Sequence, residues 1–280
     1  MEILKAIYKN EIEVKEISLL KSLFIIIMFT LIPGIINFVS TFTMILIDED
    51  VSLGIVMIVG SIIIIFVNII VVIIMGKKYT HKDSIKINSN KIKLTKKDFF
   101  YVFLIIIGYI LIREALLFDM LSQFEGPISE DDIDFFVNNT KDIEIIIFGF
   151  LLYAQTLIEA PIVEELLFRG ILLNGLLNKY KSNPKKAIFY SAIMFGVVHL
   201  NIPQGINAFI AGLILGFIYY YTKSLKLTMF AHFINNLIIF IPVPGSIIVK
   251  IIYVGIGVYA FLKGMKYIIK INTINIGQNY

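Results

Sequence analysis

The sequence predicts an all-α, polytopic transmembrane helical bundle of about eight spans, with both termini in the cytoplasm. Composition, the lengths of the apolar segments and the distribution of lysines support this prediction. Hydrophobic residues make up 58% of the 280 residues and charged residues only 16%, whereas soluble domains average about 45–50% and about 25%. An ordinary soluble enzyme, a disordered protein and a nucleic-acid binder are therefore excluded, and membrane lipids are the expected surroundings.

Eight apolar segments follow one another, and most have the length of a membrane-spanning helix. A hydrocarbon core of ~30 Å requires about 20 helical residues. Open β-structure is excluded because lipid leaves unpaired backbone groups unsatisfied. The fourth segment is too long for one straight span, and the fifth is short. The segments are 22–47, 52–75, 99–119, 144–178, 187–201, 205–222, 227–243 and 247–268.

The cations alternate along the chain between dense and nearly empty loops. Twenty-one of the 25 Lys and Arg residues fall on one side of the predicted bundle, and the positive-inside rule makes that side cytoplasmic. The 120–143 loop is acidic, contains the breaker Gly126-Pro127 and is expected outside. The cation-rich regions are the N-terminus, 76–98, 179–186, 223–226 and 263–270.

The segments divide the chain into four parts. Residues 1–21 form a cytoplasmic or interfacial segment, expected to be a helix along the membrane surface because it mixes charged and apolar residues. Residues 22–119 contain three transmembrane helices. Residues 144–243 form a helical core rich in polar residues, and 247–280 contain the last transmembrane helix and a cytoplasmic tail.

Ionisable residues inside the spans are the candidates for function. Each costs at least about 2.5–3.5 kcal/mol at the centre of a membrane helix. Arg113, Glu114 and Glu159 fit no motif, and we expect them to pair across helices. The polar residues concentrated in the second half of the chain are Glu159, Glu164, Glu165, Arg169, His199, His232 and Asn236.

The fourth segment carries two adjacent glutamates and an arginine. Glu165 and Arg169 are four residues apart, share a helix face and are expected to form a structural ion pair. Glu164 lies about 100° around the helix and is expected to project into a cavity. Pro161 lacks a backbone N–H, which predicts a local break in the helix just before this cluster.

Two further pairs share helix faces at a spacing of four residues. They are Phe195 with His199, and His232 with Asn236. Each histidine alone could also be a hydrogen-bonded packing residue. Asn236 could join two helices through its amide, and Phe195 is expected to pack. His232 lies six residues from Lys226, or ~9 Å along a helix, which favours a cavity facing the cytoplasm.

In this order, Glu164-Glu165-x-x-x-Arg169, Phe195-x-x-x-His199 and His232-x-x-x-Asn236 resemble the three motifs of the CPBP intramembrane proteases. That family includes type II CAAX prenyl endopeptidases, bacteriocin-processing and self-immunity proteins, and the abortive infection group. The resemblance covers about 144–243. It implies a peptide or protein substrate, lipidated or not, and it implies a role for each motif residue.

By this resemblance, Glu164 is the general base that activates water, and His199 holds that water beside it. His232 and Asn236 stabilise the oxyanion, and Glu165, Arg169 and Phe195 support the site. The chemistry is sensible independently, because peptide hydrolysis needs a base and donors aimed at developing charge. The chain has no Cys and no Ser in an evident elbow motif, so water is the most economical nucleophile.

The same residues leave the question of a metal open. Two histidines and a glutamate are also a zinc ligand set, so a divalent metal such as zinc, held by Glu164, His199 and His232, is one alternative. The H-E-x-x-H motif of soluble metalloproteases is absent. We favour a site without a metal cofactor.

An intramembrane endopeptidase is the leading functional hypothesis, and two others stay open. A non-catalytic membrane protein, for example of the bacteriocin-immunity type, would bind a peptide in the same cavity without turnover. A transporter would also carry charges in the middle of the membrane, but transporters commonly show inverted repeats, and no repeat is evident in this sequence.

Overall fold

The computed structural model describes residues 2–48, 50–81, 94–124, 130–238, 242 and 244–277. These residues form a helical bundle without a β-strand, apart from one isolated bridge between Val14 and Thr80. The all-α prediction is therefore confirmed. The helices are α1 (Glu2–Tyr8), α2 (Leu19–Ile47), α3 (Leu53–Tyr79), α4 (Lys96–Leu116), α5 (Phe118–Leu121), α6 (Glu130–Asn138), α7 (Asp142–Lys179), α8 (Pro184–Val197), α9 (Ile202–Thr222), α10 (Leu225–Leu237) and α11 (Ile247–Gly277).

Helices occupy all eight positions at which the sequence predicts spans. Within the described ranges, α2, α3, α4, α7, α9 and α11 are long and apolar enough to cross a membrane. Helices α8 and α10 have only 14 and 13 residues, fewer than the ~20 that span a bilayer core. The polytopic bundle is thus confirmed, whereas the number of eight spans stays a prediction.

Helix α7 explains how the overlong fourth segment is accommodated. It is helical throughout its 38 residues, so the predicted break at Pro161 is wrong. Instead, π-helical turns at Gln155–Glu159 and Leu166–Leu173 flank an α-helical stretch at Ala160–Glu165. Pro161 lies in the first turn of that stretch, a position where a missing N–H is tolerated. π-turns occur frequently at functional sites.

The N-terminal segment differs from the expected surface helix. Helix α1 ends at Tyr8, and the following chain runs non-helically to α2 with Ile12, Val14 and Ile17 buried in the protein. The cause is visible in the sequence: between Glu11 and Lys15 polar and apolar residues alternate, a pattern with the period of a strand rather than a helix.

Backbone contacts near the helix ends divide these ends between two sides of the bundle. On one side the N–H of Ile17 donates to the carbonyl of Gly175 at 3.0 Å, and on the other the N–H of Leu53 donates to the carbonyl of Asn139 at 3.0 Å. We call the first the lysine-rich side and the second the lysine-poor side. The lysine-rich side comprises 9–18, 79–81, 94–97, 175–186 and 222–226, and the lysine-poor side comprises 48, 50–53, 117–122, 139–144 and 198–204. The predicted Gly126-Pro127 breaker and the lysines between 82 and 93 lie outside the described residues.

Helix α7 is central, and it contacts α3, α8 and α10. Helix α4 packs along α11 through glycines: a Cβ at Gly257 would lie 2.8 Å from the carbonyl oxygen of Gly108. Small residues of this kind let membrane helices approach closely. These contacts bring α4, α7, α8, α9 and α10 together around the candidate site.

Candidate active site

The predicted ion pair between Glu165 and Arg169 is present at the centre of the bundle. Arg169 Nη1 lies 2.8 Å from Glu165 Oε1, and both side chains are fully buried. Arg169 Nη2 donates to the carbonyl of Gly212 at 3.2 Å. Gly212 also lets α9 pack closely on α8, because a Cβ at this position would lie 3.1 Å from Cα of Ala192. The guanidinium also lies 4.5 Å from the centre of the Phe195 ring.

Glu165 has a second partner that the sequence analysis missed. His232 Nδ1, on α10, lies 3.0 Å from the same oxygen, Oε1 of Glu165. A carboxylate only accepts, so this nitrogen is the donor. The pair joins residues 67 positions apart, and no local spacing signals such a contact. Glu165 therefore fixes the orientation of His232 in addition to binding Arg169.

Glu164 faces away from the Arg169 pair, as its position one residue earlier predicts. Its side chain is 21% exposed, and Glu164 Oε2 lies 4.0 Å from His232 Nε2. It lines a small cavity of about 220 Å³ together with His199 and with Phe29 and Thr30 of α2. The first glutamate of the motif is thus reachable from a cavity, whereas the second is enclosed.

His199 lies just beyond the end of α8, in the turn before α9. Asn201 begins α9 by accepting the N–H of Gln204 at 3.0 Å, which fixes the length of this turn. His199 Nδ1 lies 2.9 Å from the carbonyl oxygen of Phe195. A carbonyl only accepts, so Nδ1 carries the hydrogen and Nε2 of the neutral ring is left as an acceptor.

Phe195 packs in the middle of these groups, as expected. Its ring centre lies 5.4 Å from that of His199 and 5.7 Å from that of His232. Both arrangements are edge-to-face, the geometry that aromatic rings favour. Phe195 therefore separates the two imidazoles while holding each against α8.

Asn236 lies one turn after His232 on α10. Its Nδ2 donates to the carbonyl of Thr156 at 2.8 Å, and its Oδ1 accepts from Asn235 Nδ2 at 3.2 Å. Thr156 belongs to the first π-turn of α7. A carboxamide has two N–H donors, so one of them is left for a ligand.

A larger cavity of about 410 Å³ borders the same residues from the other side. His199, His232 and Asn236 line it, and so do Arg113 and Glu114 of α4. His199 borders both this cavity and the small one next to Glu164. The residues with candidate chemistry thus lie between two cavities.

Arg113, Glu114 and Glu159, the charged residues that fit no motif, differ in whether their partners lie on the same helix or on another one. Arg113 pairs with its neighbour Glu114, with Nη2 2.5 Å from Oε1, so the expected pairing across helices is wrong for these two. Their adjacency lets them neutralise each other without a partner helix. Glu159 does pair across helices, because Asn68 of α3 donates to its carboxylate at 3.1 Å.

The fit of the predicted zinc ligands is mixed. Both imidazoles keep Nε2 free while Nδ1 binds a carbonyl or carboxylate, which is the usual orientation of metal-ligating histidines. Yet no group of three His, Asp or Glu side chains in the described ranges is arranged to hold a metal ion. Glu164, His199 and His232 do not converge as a ligand set in this conformation.

Comparison with known proteins gives one match. Residues 146–238 match a protein family described as "Rce1-like: Type II CAAX prenyl endopeptidase Rce1-like". This segment is similar to the Rce1-like domain of type II CAAX prenyl endopeptidases. Neither the curated proteins nor the solved structures contain a match to this chain.

The Rce1-like domain covers about a third of the chain and contains all three motifs. The resemblance to the CPBP and CAAX proteases is confirmed. The chain is therefore a multi-pass membrane protein, and the matched segment supports a CAAX-type intramembrane protease function. Its substrates are peptides or proteins, and they are met in a membrane environment.

Proposed function

We propose that the Rce1-like domain hydrolyses peptide bonds with a water molecule activated by Glu164 and His199, and that His232 and Asn236 stabilise the oxyanion. The arrangement of His232 carries the proposal. Its Nδ1 is bound to a buried carboxylate, and its Nε2 lies 4.0 Å from Glu164 Oε2. An imidazole fixed on one nitrogen and directed at a second carboxylate has the geometry of an acid–base site.

Glu164 and His199 have complementary capacities towards a water molecule between them. His199 already donates through Nδ1 to Phe195, so its Nε2 accepts one hydrogen of the water. The carboxylate of Glu164 accepts the other hydrogen and takes that proton as the water oxygen attacks the peptide carbonyl. The same carboxylic acid then returns the proton to the amine that leaves.

His232 and Asn236 provide donors for the oxyanion that this attack creates. When doubly protonated, His232 donates from Nδ1 to Glu165 and from Nε2 to the oxyanion. Asn236 donates through the N–H that Thr156 does not occupy. Each donor of this kind contributes about 10²–10³-fold to kcat in the acyl-transfer enzymes in which it has been removed.

Besides the two cavities, the protein has an apolar groove of about 840 Å³ along α7. This groove supports a lipidated peptide as a substrate. Ile158, Ile162 and Val163 of α7 form one of its walls, within two turns of Glu164. Side chains from α1, α3 and α10 complete it. A hydrocarbon chain bound in this groove would bring the attached peptide close to the candidate base.

The proposal is tested with purified wild type, Glu164→Gln and Glu144→Gln in detergent, incubated with quenched fluorescent peptides that are unmodified or farnesylated. Glu144 is a matched control because it belongs to the same helix and binds Ser52 and the N–H of Lys141 at the lysine-poor end. We expect cleavage by the wild type and the control, and none by Glu164→Gln, with similar thermal unfolding for all three.

Undiminished cleavage by Glu164→Gln would refute the assignment of the base. A wild type that binds these peptides without cleaving them, with binding retained in Glu164→Gln, would instead favour the non-catalytic binding protein. A parallel series with a chelator separates the two protease classes: activity lost and then restored by zinc would indicate a metalloprotease, and activity retained would favour a metal-free glutamate mechanism.

A further inference from the structure

The larger cavity of the candidate site lies at one end of the bundle. Besides the short α5, four helices border it, and each does so near the same side of the molecule. Ser122 follows the C-terminus of α4 and α5, His199 follows α8, Gln204 belongs to the first turn of α9, and Asn236 belongs to the last turn of α10. All four helix ends belong to the lysine-poor side or approach it.

The opposite ends of these four helices carry the cations. These ends belong to the segments that we assigned to the lysine-rich side, and Lys226 at the start of α10 lies over the ring of Phe99 at the start of α4. The cations at these ends are Lys96 and Lys97 of α4, Lys185 and Lys186 of α8, Lys223 after α9, and Lys226 of α10. The positive-inside rule assigns such an end to the cytoplasm.

We propose that the cavity opens on the extracytoplasmic side of the membrane and takes its peptide from there. This inference rests on the proposed function, because it names the substrate of the same site: an extracytoplasmic segment of an exported or membrane-anchored protein. The depth of His232, measured from Lys226, favoured a cytoplasmic opening. The cavity that the ring of His232 borders instead continues towards the other end of α10, and the proposal rests on that observation.

The wall of this cavity contains acceptors without partners. Asn207 Oδ1 and Asn235 Oδ1 are buried and have no hydrogen-bond partner among the residues that the structure describes, and both residues line the cavity. A buried polar atom without a partner is costly. An extended peptide supplies backbone N–H donors at regular intervals, so these carboxamide oxygens suit a peptide bound along the cavity.

The charged pair of α4 adds to this wall. Arg113 uses Nε and Nη2 to bind a single oxygen of Glu114, which leaves other donors of the guanidinium and the second carboxylate oxygen for a ligand. The cavity therefore offers both donors and acceptors between its mouth, near Ser122, and the histidines.

The natural lack of cysteine makes the orientation directly measurable. Ser122→Cys places a thiol at the cavity mouth, and Ser182→Cys places one in the exposed turn between α7 and α8 on the lysine-rich side. Both replace a hydroxyl by a thiol. Spheroplasts that express each full-length variant are treated with a membrane-impermeant maleimide before and after permeabilisation, and Gln204→Cys serves as a second mouth position.

We expect Ser122→Cys and Gln204→Cys to be labelled in intact spheroplasts and Ser182→Cys only after permeabilisation. The reverse pattern would overturn the proposed orientation. Mouth positions that stay unlabelled after permeabilisation would overturn it too, because the cavity would then be closed to water.

Labelling does not require proteolysis, so the two proposals fail separately. The expected labelling together with a wild type that cleaves no peptide would refute the protease mechanism and leave the extracytoplasmic opening intact. Cleavage by the wild type together with the reverse labelling would refute the opening alone. In an active protein, a bulky maleimide on Ser122→Cys should also block cleavage, and the same reagent on Ser182→Cys should not.

Discussion

Replacement of Arg169 by Met tests whether the buried ion pair stabilises the site. Arg169 is fully buried and makes three contacts: Glu165 at 2.8 Å, the Gly212 carbonyl at 3.2 Å and the Phe195 ring at 4.5 Å. Methionine retains much of the apolar volume but none of the charge. The variant therefore leaves Glu165 as a buried carboxylate without the positive charge of Arg169 beside it.

The expected cost follows from these contacts. Removing one partner of a buried ion pair typically destabilises a protein by about 3–5 kcal/mol. The lost interaction with the Phe195 ring adds to this, since a desolvated cation over an aromatic ring is worth ~2 kcal/mol. His232 still donates to Glu165, which offsets part of the loss. We expect the free energy of unfolding to fall by about 3–5 kcal/mol in total.

The assay is an unfolding titration in detergent, together with the amount of protein in the membrane. Lys179→Met is the matched control, because Lys179 ends the same helix and forms a half-exposed pair with Glu16 at 3.2 Å. Exposed pairs contribute at most about 1 kcal/mol. A loss for Arg169→Met no greater than that for Lys179→Met would refute the reasoning.

The double variant Arg169→Met, Glu165→Met separates stability from catalysis. Removing both charges of a buried pair is often neutral or stabilising, so most of the lost stability should return. Cleavage should nevertheless be lost in the double variant, because His232 has then lost the acceptor that orients it. Recovery of activity together with stability would mean that Glu165 does not position His232.

Two further predictions concern the oxyanion site and helix packing. Asn236→Ala removes one proposed oxyanion donor and should lower kcat by about 10²–10³-fold with little change in KM; steady-state kinetics with an unchanged kcat would exclude that role. Gly257→Leu should destabilise the protein by about 1–3 kcal/mol in the same unfolding assay, because a Cβ there would lie 2.8 Å from the carbonyl of Gly108. Gly255→Leu is the control, since nothing lies within 4 Å of a Cβ at that position; equal losses would contradict close α4–α11 packing.

The positions of the membrane helices could be predicted because long apolar runs are a strong signal. The predicted span 52–75 corresponds to Leu53–Tyr79, and 205–222 corresponds to Ile202–Thr222. The segment before α2 could have been predicted better from the alternation around Val14. The π-turns of α7 carry no comparable signal, because apolar runs and periodicity indicate that a helix is present but not which of its turns are π-helical.

The faces of the three motifs could be predicted from helical spacing, and their mutual contacts could not. A spacing of four residues correctly places Arg169 beside Glu165 and Phe195 beside His199. The spacing does not indicate which other helix packs against that face. The contact between α10 and α7 therefore could not be predicted from a single sequence. The location of Arg113 and Glu114 also could not be predicted from the sequence. Their cost inside a membrane marks them as unusual, but only the fold brings them to the wall of the larger cavity.

One oxygen atom connects two of the motifs. Glu165 Oε1 accepts from Arg169 and from His232, so the residue that neutralises Glu165 and the residue that Glu165 orients share one oxygen, which has a lone pair for each. Arg169 in turn lies over the ring of Phe195. The backbone carbonyl of the same phenylalanine accepts the hydrogen bond from His199 Nδ1. The arginine therefore contacts both the ring of Phe195 and the carboxylate that binds His232, so we expect a displaced Arg169 to disturb the second and the third motif. A site built in this way combines support and chemistry in one cluster, which gives a fully buried arginine a role next to a glutamate in the middle of an apolar bundle.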